Sequence, residues 1–371
     1  MNQADGCSIG AIRSRRGALA MLAGTLLIAG AAVAAPAKYR IVALPELPGT
    51  QFSVAYGISD AGEIVGYASP TALDDEYAVS WGVAPYVPRR LGDAGPPYEA
   101  VSATAVNNAG EVVGLAETGV EHVAVMWDPS GQIVELGDLP LGAIVSSATD
   151  INSSGLVVGY GTGPDRYRPV VWTGPGAIRP LLLDAQGTRL GGVAWALNDF
   201  GGIAGYFQIS GSSAHAARWP AGRRRMQDLG DLPGGEDWST AYGINNAGQI
   251  VGFGTSELGL RAVLWNVDGA MTDLGDLVDG QQYAAVDINE AGTVLGHYSR
   301  LFTTQGFLWT AADGMVDLVD LIDPADPLRV KFGARHAYLY AINSAGLIVG
   351  AMFTGDPPNG LIHAIVLVPQ E

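Results

Sequence analysis

The chain has 371 residues, 48% of them hydrophobic and 15% charged, and so apolar a chain excludes disorder because burial can offset its ordering entropy. Its 37 acidic against 20 basic residues give a net charge of −17, which argues against nucleic acid and anionic lipid as partners. A single cysteine, Cys7, excludes a disulfide framework and a cysteine-based zinc site, and 52 glycines without a G-x-y period exclude collagen and point to a fold full of tight turns.

The first element is an address. Arg13, Arg15 and Arg16 precede an apolar run from Gly17 to Ala31, and Ala32-Val33-Ala34 forms a small-x-small cleavage site. Residues 1–34 are therefore expected to be a cleaved export signal, leaving Ala35 as the mature N-terminus; Ser14-Arg15-Arg16 also resembles a twin-arginine signal. Cleavage removes three arginines and Asp5, which takes the net charge from −17 to −19 and leaves no cysteine. No second apolar stretch follows, so a soluble periplasmic or extracellular protein is expected.

The remaining chain repeats. An aliphatic residue followed by Asn-x-x-Gly-x-φ-φ-Gly, φ being apolar, recurs seven times, starting at Ser59, Asn107, Asn152, Asn198, Asn245, Asn289 and Asn343. The glycine three positions on (Gly62 to Gly346) and the one seven positions on (Gly66 to Gly350) are present each time, at intervals of 44 to 54 residues. Only Ser59 departs at the Asn column.

Each unit resolves into four short strands. The first ends at the Asn column and carries a small residue four positions earlier (Ala55, Ala103, Ala148, Ala194, Ala241, Ala285, with Leu339 the exception). The Asn-x-x-Gly link is a turn in which the Asn side chain caps the backbone and Gly takes the left-handed conformation. The second strand is the φ-φ-Gly segment, a variable loop follows, and the third strand ends in Trp81, Trp127, Trp172, Trp219, Trp265 or Trp309, with Leu367 in the seventh unit. The fourth strand reads like MTDLGDL from Met271 and feeds a Gly/Pro loop into the next unit.

Four-stranded units at this period predict a β-propeller. The seventh unit stops at Glu371 without a fourth strand, and the segment from Tyr39 to Leu44, followed by Pro45-Glu46-Leu47-Pro48-Gly49, matches the missing one. The expected fold is therefore all-β: a single seven-bladed β-propeller over residues 35–371, with strand 39–44 completing the last blade so that no long edge remains. A monomer is expected.

Third strands such as AHAARW (Ala214 to Trp219) and IHAIVL (Ile362 to Leu367), together with GINNAGQIVG and DLGDLPGG, make the chain resemble the bacterial HAF family of extracellular repeat proteins. Only His215 and His363 occupy the His column, and Phe never follows His-Ala. The resemblance implies export and a repeat architecture; it brings no reaction, substrate or catalytic residue.

Chemistry is sparse. His215 and His363 share a column with Tyr77, Val123, Arg168, Arg261 and Gln305, which reads as a strand position; His122 and His297 fall at loop margins without metal-ligand spacing. Asp138, Asp231 and Asp276 of the DLGD segments read as turn residues, since no D-x-D-x-D-G loop occurs. No metal and no cofactor is expected. The Asn-x-x-Gly turns all fall on one face, so function is expected on the opposite face, which carries the variable links such as Ser69 to Glu76 and Gly161 to Arg166. There, Glu236-Asp237-Trp238, and Arg335-His336 after the long insertion Leu321 to Ala334, are the candidate ligand-binding residues. Trp238 lies outside the Trp column, so stacking on a sugar or apolar side chain would explain it. The expected function is an exported, non-enzymatic scaffold binding a glycan, peptide or protein. The competing reading is a secreted carboxylate-dependent polysaccharide hydrolase or lyase, with Glu99, Glu236 and Asp237 meeting across a central channel.

Overall fold

The computed structural model describes residues 38–370 apart from the short segments 72–75, 94, 119–120, 140–144, 163–165, 182–190, 211–212, 224, 301–302 and 355–359. The expected export signal at residues 1–34 lies outside the described residues, as do the tips of the variable loops at 72–75 and 163–165. No helix among the described residues is long and apolar enough to cross a membrane.

The chain folds as an all-β, propeller-like arrangement of antiparallel meanders. Alternating β-branched and small residues give each strand two apolar faces, because a core lies between each sheet and the next. Residues 100–135 illustrate the unit: strands Ala100–Val106, Val112–Glu117, His122–Trp127 and Ile133–Glu135 pair in order. The fourth strands are short, down to two residues in Arg89–Arg90 and Gln227–Asp228.

Five sheets are four-stranded, whereas the strands between Gly192 and Asp273 form one eight-stranded sheet. This departs from the expected seven separate blades, and the cause is local. Strand Gly234–Ile244 is extended to 11 residues, and within its first half Trp238 makes a parallel bridge to Ala214 of the neighbouring Ser213–Trp219. The N-terminal strand Lys38–Ala43 pairs antiparallel with Ile362–Gln370, from Lys38 opposite Gln370 to Ala43 opposite Ile365, and is the fourth strand of that last sheet. The innermost strands contact one another cyclically, ending with Ala337–Ile342 against Phe52–Ile58. Residues just before the Asn column from six of these strands, Ile58, Val106, Ile151, Leu197, Ile244 and Ile342, line one cavity of about 170 Å³.

Each repeat column has a structural task. Every innermost strand shifts register opposite the second glycine column, as between Ala55 and Gly57, so the backbone bulges toward that glycine. A Cβ on Gly66 would lie 1.9 Å from the Val54 carbonyl oxygen, and one on Gly252 would lie 1.9 Å from that of Thr240; no side chain fits. The alanine column, for example Ala55 and Ala241, is fully buried in the cores between sheets. The Trp column fills the same cores, and its indole N–H groups bond to the exit loop of the preceding unit: Trp81 to the Pro45 carbonyl at 2.8 Å, Trp127 to Gly92 at 2.7 Å, Trp172 to Gly137 at 2.9 Å and Trp265 to Leu229 at 3.0 Å.

The Asn column does more than cap its turn. Asn107 Oδ1 accepts from the Ala109 and Glu111 amides, as expected, and Gly110 is left-handed at φ +79°. Its Nδ2, however, donates to the carbonyl of Asn152 in the next unit, and Asn152, Asn198, Asn245 and Asn289 repeat this around the ring at 2.9–3.2 Å.

Two short helices occur in a fold expected to be purely β: Leu318–Leu321, which leads into the insertion Leu321 to Ala334, and Arg329–Ala334 at its end. The insertion covers the outer edge of the N-terminal strand: the Asp323 amide donates to the Tyr39 carbonyl at 2.9 Å, and the Ile41 amide donates to Asp326 Oδ2 at 2.7 Å.

Candidate functional site

Strand Gly234–Ile244 carries the first candidates in its first half, where a loop was expected, and Asp231, in the link from Gln227–Asp228, organises it. Its Oδ1 accepts from the amides of Leu232 and Thr255, both at 2.8 Å; its Oδ2 accepts from the Trp238 amide at 2.8 Å and the Thr255 hydroxyl at 2.7 Å. The Thr255 hydroxyl also contacts the Glu236 carbonyl oxygen. Thus one DLGD aspartate, read from sequence as a turn residue, also fixes the strand that presents Trp238.

Asp237 is not free. His215 Nε2 lies 2.7 Å from Asp237 Oδ1, and His215 Nδ1 lies 3.0 Å from Asp228 Oδ1. Ionised carboxylates only accept, so both ring nitrogens must donate and the imidazole is held as the cation. Burial pulls its pKa down, but the hydrogen bonds and charges of Asp228 and Asp237 outweigh that and hold it above the ordinary value. Glu236 is exposed, and Trp238 is 42% exposed, with its ring edge-on to Phe253 at 5.3 Å.

Arg335 and His336 lie elsewhere. They precede Ala337–Ile342, and the innermost strand Tyr283–Ile288 stands between that strand and Gly234–Ile244. The His336 ring stacks on Tyr338 at 5.7 Å, tilts against Phe353 at 5.8 Å, and accepts from the Thr304 amide at 3.1 Å; the Arg335 carbonyl accepts from Gln305 Nε2. The five residues expected to form one site therefore divide into two groups, and His336 is half-buried, its ring held by Thr304, Tyr338 and Phe353.

Trp238 instead ends a continuous series of rings. Tyr167 meets Tyr160 at 5.0 Å, Tyr160 meets Trp195 at 6.3 Å, Trp195 meets Tyr242 at 6.0 Å, and Tyr242 meets Phe253 at 5.9 Å, next to Trp238. The Trp195 indole nitrogen is buried without a hydrogen-bond partner. Sequence reasoning missed this arc. Its signal was available in two largely aromatic columns: three residues before the Asn column stand Tyr56, Trp195, Tyr242 and Tyr340 against Thr104, Thr149 and Val286, and one residue after the second glycine stand Tyr67, Tyr160, Tyr206 and Phe253 against Leu115, His297 and Ala351. The same columns make a second contact group, in which Tyr56 meets Tyr67 at 5.8 Å and Tyr340 at 4.9 Å.

The other histidines have structural partners. His363 Nδ1 lies 2.7 Å from Glu46 Oε1, and Arg261, in the same column, pairs with Asp273 and Asp276. That column joins third strands to acidic groups of fourth strands and exit loops. His122 begins a strand and faces Glu117 at 3.4 Å. His297, expected at a loop margin, lies within strand Val294–Arg300; its Nε2 accepts from the Leu339 amide at 2.8 Å, and burial lowers its pKa to about 4. Glu99 lines a separate cavity of about 220 Å³ with Glu76, Arg90 and Tyr98. No group of three or more His, Cys, Asp or Glu suited to a metal occurs among the described residues.

No family model and no curated protein matches the chain. Solved structures do. Virginiamycin B lyase from Staphylococcus aureus, crystallised with quinupristin, is similar at TM-score 0.52 and 13% identity over 89% of this chain and 99% of that one. A streptogramin B lyase gives TM-score 0.55 and 10% identity over 90% of this chain and 98% of that one. A prolyl endopeptidase gives TM-score 0.55 and 12% identity over 90% of this chain and 51% of that one. At such identities the likeness bears on the propeller fold alone.

Proposed function

We propose that the protein is an exported propeller scaffold, resembling the HAF proteins, that binds a glycan, peptide or protein through its variable-loop face without catalysing a reaction. The eight-stranded sheet is read as two four-stranded blades joined by the Ala214–Trp238 bridge, which makes the ring seven-bladed. The single observation that carries the binding reading is the ring series from Tyr167 through Trp195 to Trp238. Aromatic faces and edges recognise sugar C–H faces and apolar side chains at little entropic cost, which suits a binding surface. The carboxylates support binding over hydrolysis: Asp237 is engaged by His215, and Glu99 belongs to another cavity.

A glycan and peptide array probed with the protein tests this. Binding is expected, with Trp238→Ala and Trp195→Ala each weakening it by about tenfold, the equivalent of 1.4 kcal/mol. His336→Ala should leave it unchanged. Equal binding by both tryptophan variants would remove the arc as the site. Turnover of an arrayed polysaccharide that Glu236→Gln abolishes would replace the scaffold reading with the hydrolase or lyase one.

A further inference from the structure

A cavity of about 330 Å³ opens between the sheet of residues 146–180 and the strands of residues 192–228, on the face of the Asn-x-x-Gly turns and away from the variable loops. Three side chains at this cavity stand out, two of them by breaking the repeat. Phe200, third residue of its turn, stands where the other units carry Ala61, Ala109, Ser154, Ala247, Ala291 and Ala345, yet it is 72% exposed. Arg223 follows the left-handed glycine of the turn after the Trp column, where other units have Gln132, Ala177 and Ala270. Arg179, in a fourth strand, stands at the register of Val134, Gln227 and Thr272, a position at which the first unit also carries an arginine, Arg89.

The two arginines share one chemistry. Among the described residues neither the Arg179 nor the Arg223 side chain has an ion pair or hydrogen bond, although acidic residues outnumber basic ones 37 to 20 and other arginine side chains are paired, Arg90 with Asp93 and Arg261 with Asp273 and Asp276. Two unpaired guanidiniums beside a cavity at the lower end of the usual ligand-site range, about 300–1,000 Å³, form a receptor for a carboxylate. The exposed Phe200 ring adds a flat apolar face. Asp199, also at the cavity, already accepts from the Ser153 amide and Asn246 Nδ2 but retains lone pairs that suit a hydroxyl donor rather than a second anion.

We propose that this cavity binds a uronate unit of an acidic oligosaccharide, with Arg179 and Arg223 on the sugar carboxylate, Phe200 against the C–H face of the ring and Asp199 accepting from a ring hydroxyl. A small inorganic anion would leave Phe200 and Asp199 without a task. An acidic peptide meets the arginines but offers neither the rigid C–H face nor the adjacent hydroxyls. The site uses no residue of the aromatic arc, so the two readings fail separately.

Calorimetric titration of the protein at low salt with trigalacturonate, neutral galactotriose and triglutamate decides the matter. Trigalacturonate should bind, and its affinity should fall as salt is raised. Arg179→Ala with Arg223→Ala should weaken it by at least about tenfold, and the doubly Lys-substituted form, which keeps the charge but loses the planar fork, should bind with intermediate affinity. Phe200→Ala should weaken binding several-fold without lowering the melting transition, because five other turns carry Ala there. Absence of trigalacturonate binding, equal binding of galactotriose or triglutamate, or indifference to the double Ala substitution would each overturn the assignment.

Discussion

Asn343 Nδ2 donates to the carbonyl of Ser59 at 3.1 Å across 284 residues of sequence, so the side chain that shapes the last turn also joins the last unit to the first. The same bond links each preceding Asn to the unit after it, and all these residues are buried. The one missing link starts at Ser59, whose hydroxyl accepts from the Glu63 amide at 3.2 Å instead of reaching the Asn107 carbonyl. Pro45 reinforces this seam through Trp81 of the first sheet, while Glu46 and Asp326 fasten the N-terminal segment to the last sheet and to the insertion before it, through His363 and Ile41 respectively.

Ser59→Asn should complete the belt. The new amide would reach the Asn107 carbonyl as its six counterparts reach theirs, adding about 0.5–1.5 kcal/mol. Asn343→Ser, which reproduces the residue tolerated at position 59, should remove a similar amount. Urea midpoints at constant m-value check both; a belt of no energetic consequence would leave the two midpoints equal to that of the parent.

The N-terminal strand is an edge that the insertion Leu321 to Ala334 covers, and Asp326 is its buried anchor, accepting from both Ile41 and Leu328 amides. Asp326→Ala should cost about 1–3 kcal/mol by leaving the Ile41 amide unpaired, and should speed hydrogen exchange at that amide. Deleting residues 39–48 goes further and exposes the edge of Ile362–Gln370, so aggregation is expected in sizing chromatography. An unchanged melting transition and monomeric profile for the deletion would show that this strand is not what closes the ring.

The strands, the turns and the N-terminal closure were readable because each is a local pattern repeated at a fixed period. What was hidden lies between units. The Asn side chain looks like a turn former from its own neighbours, and only the approach of the next turn gives its Nδ2 a partner. Tyr160, Trp195, Tyr242 and Phe253 each resemble ordinary strand residues; they become an arc only when three consecutive units are set side by side. Trp238 was noticed because it falls outside a column, and that same signal (departure from the repeat) would have found Phe200 and Arg223. Arg335-His336 was grouped with Trp238 because both sit at the mouth of an innermost strand, and sequence alone does not show that the strand Tyr283–Ile288 lies between them or that the insertion folds onto the N-terminal strand. The sheet count differed because nothing in GGEDWST marks the register at which Trp238 reaches Ala214.

Two aspartates two positions before the Asn column give the ring a pH dependence. Asp150 accepts from the amides of Ile151 and Leu197, and Asp287 from those of Ile288 and Ile342, each at 2.8 Å, so each carboxylate ties its unit to the next. Burial beside the axis pushes Asp150 up to about 7 and Asp287 up to about 6 from the ordinary 3.8, against the lowering effect of the backbone donors; Asp287 and Asp199 add repulsion at Asp150, as Asp60 does at Asp287. Since the folded values lie above the unfolded one, their contribution is fully present below pH 3.8 and is lost as pH rises through 6 to 7. Each group can therefore lower stability by up to about 1.4 kcal/mol per pH unit inside its window. The double substitution Asp150→Ala with Asp287→Ala, which installs the residue already present at Ala105, Ala196 and Ala341, should flatten the stability profile between pH 4 and 7. Urea unfolding across that range is the measurement, and a parent profile that is flat or rises with pH would refute the assignment. His215 acts at higher pH, because its raised pKa makes its contribution full below the ordinary value of 6.5 and lost above the folded one. A residual fall above pH 7 that His215→Gln removes, but the double Asp substitution does not, would separate the two effects.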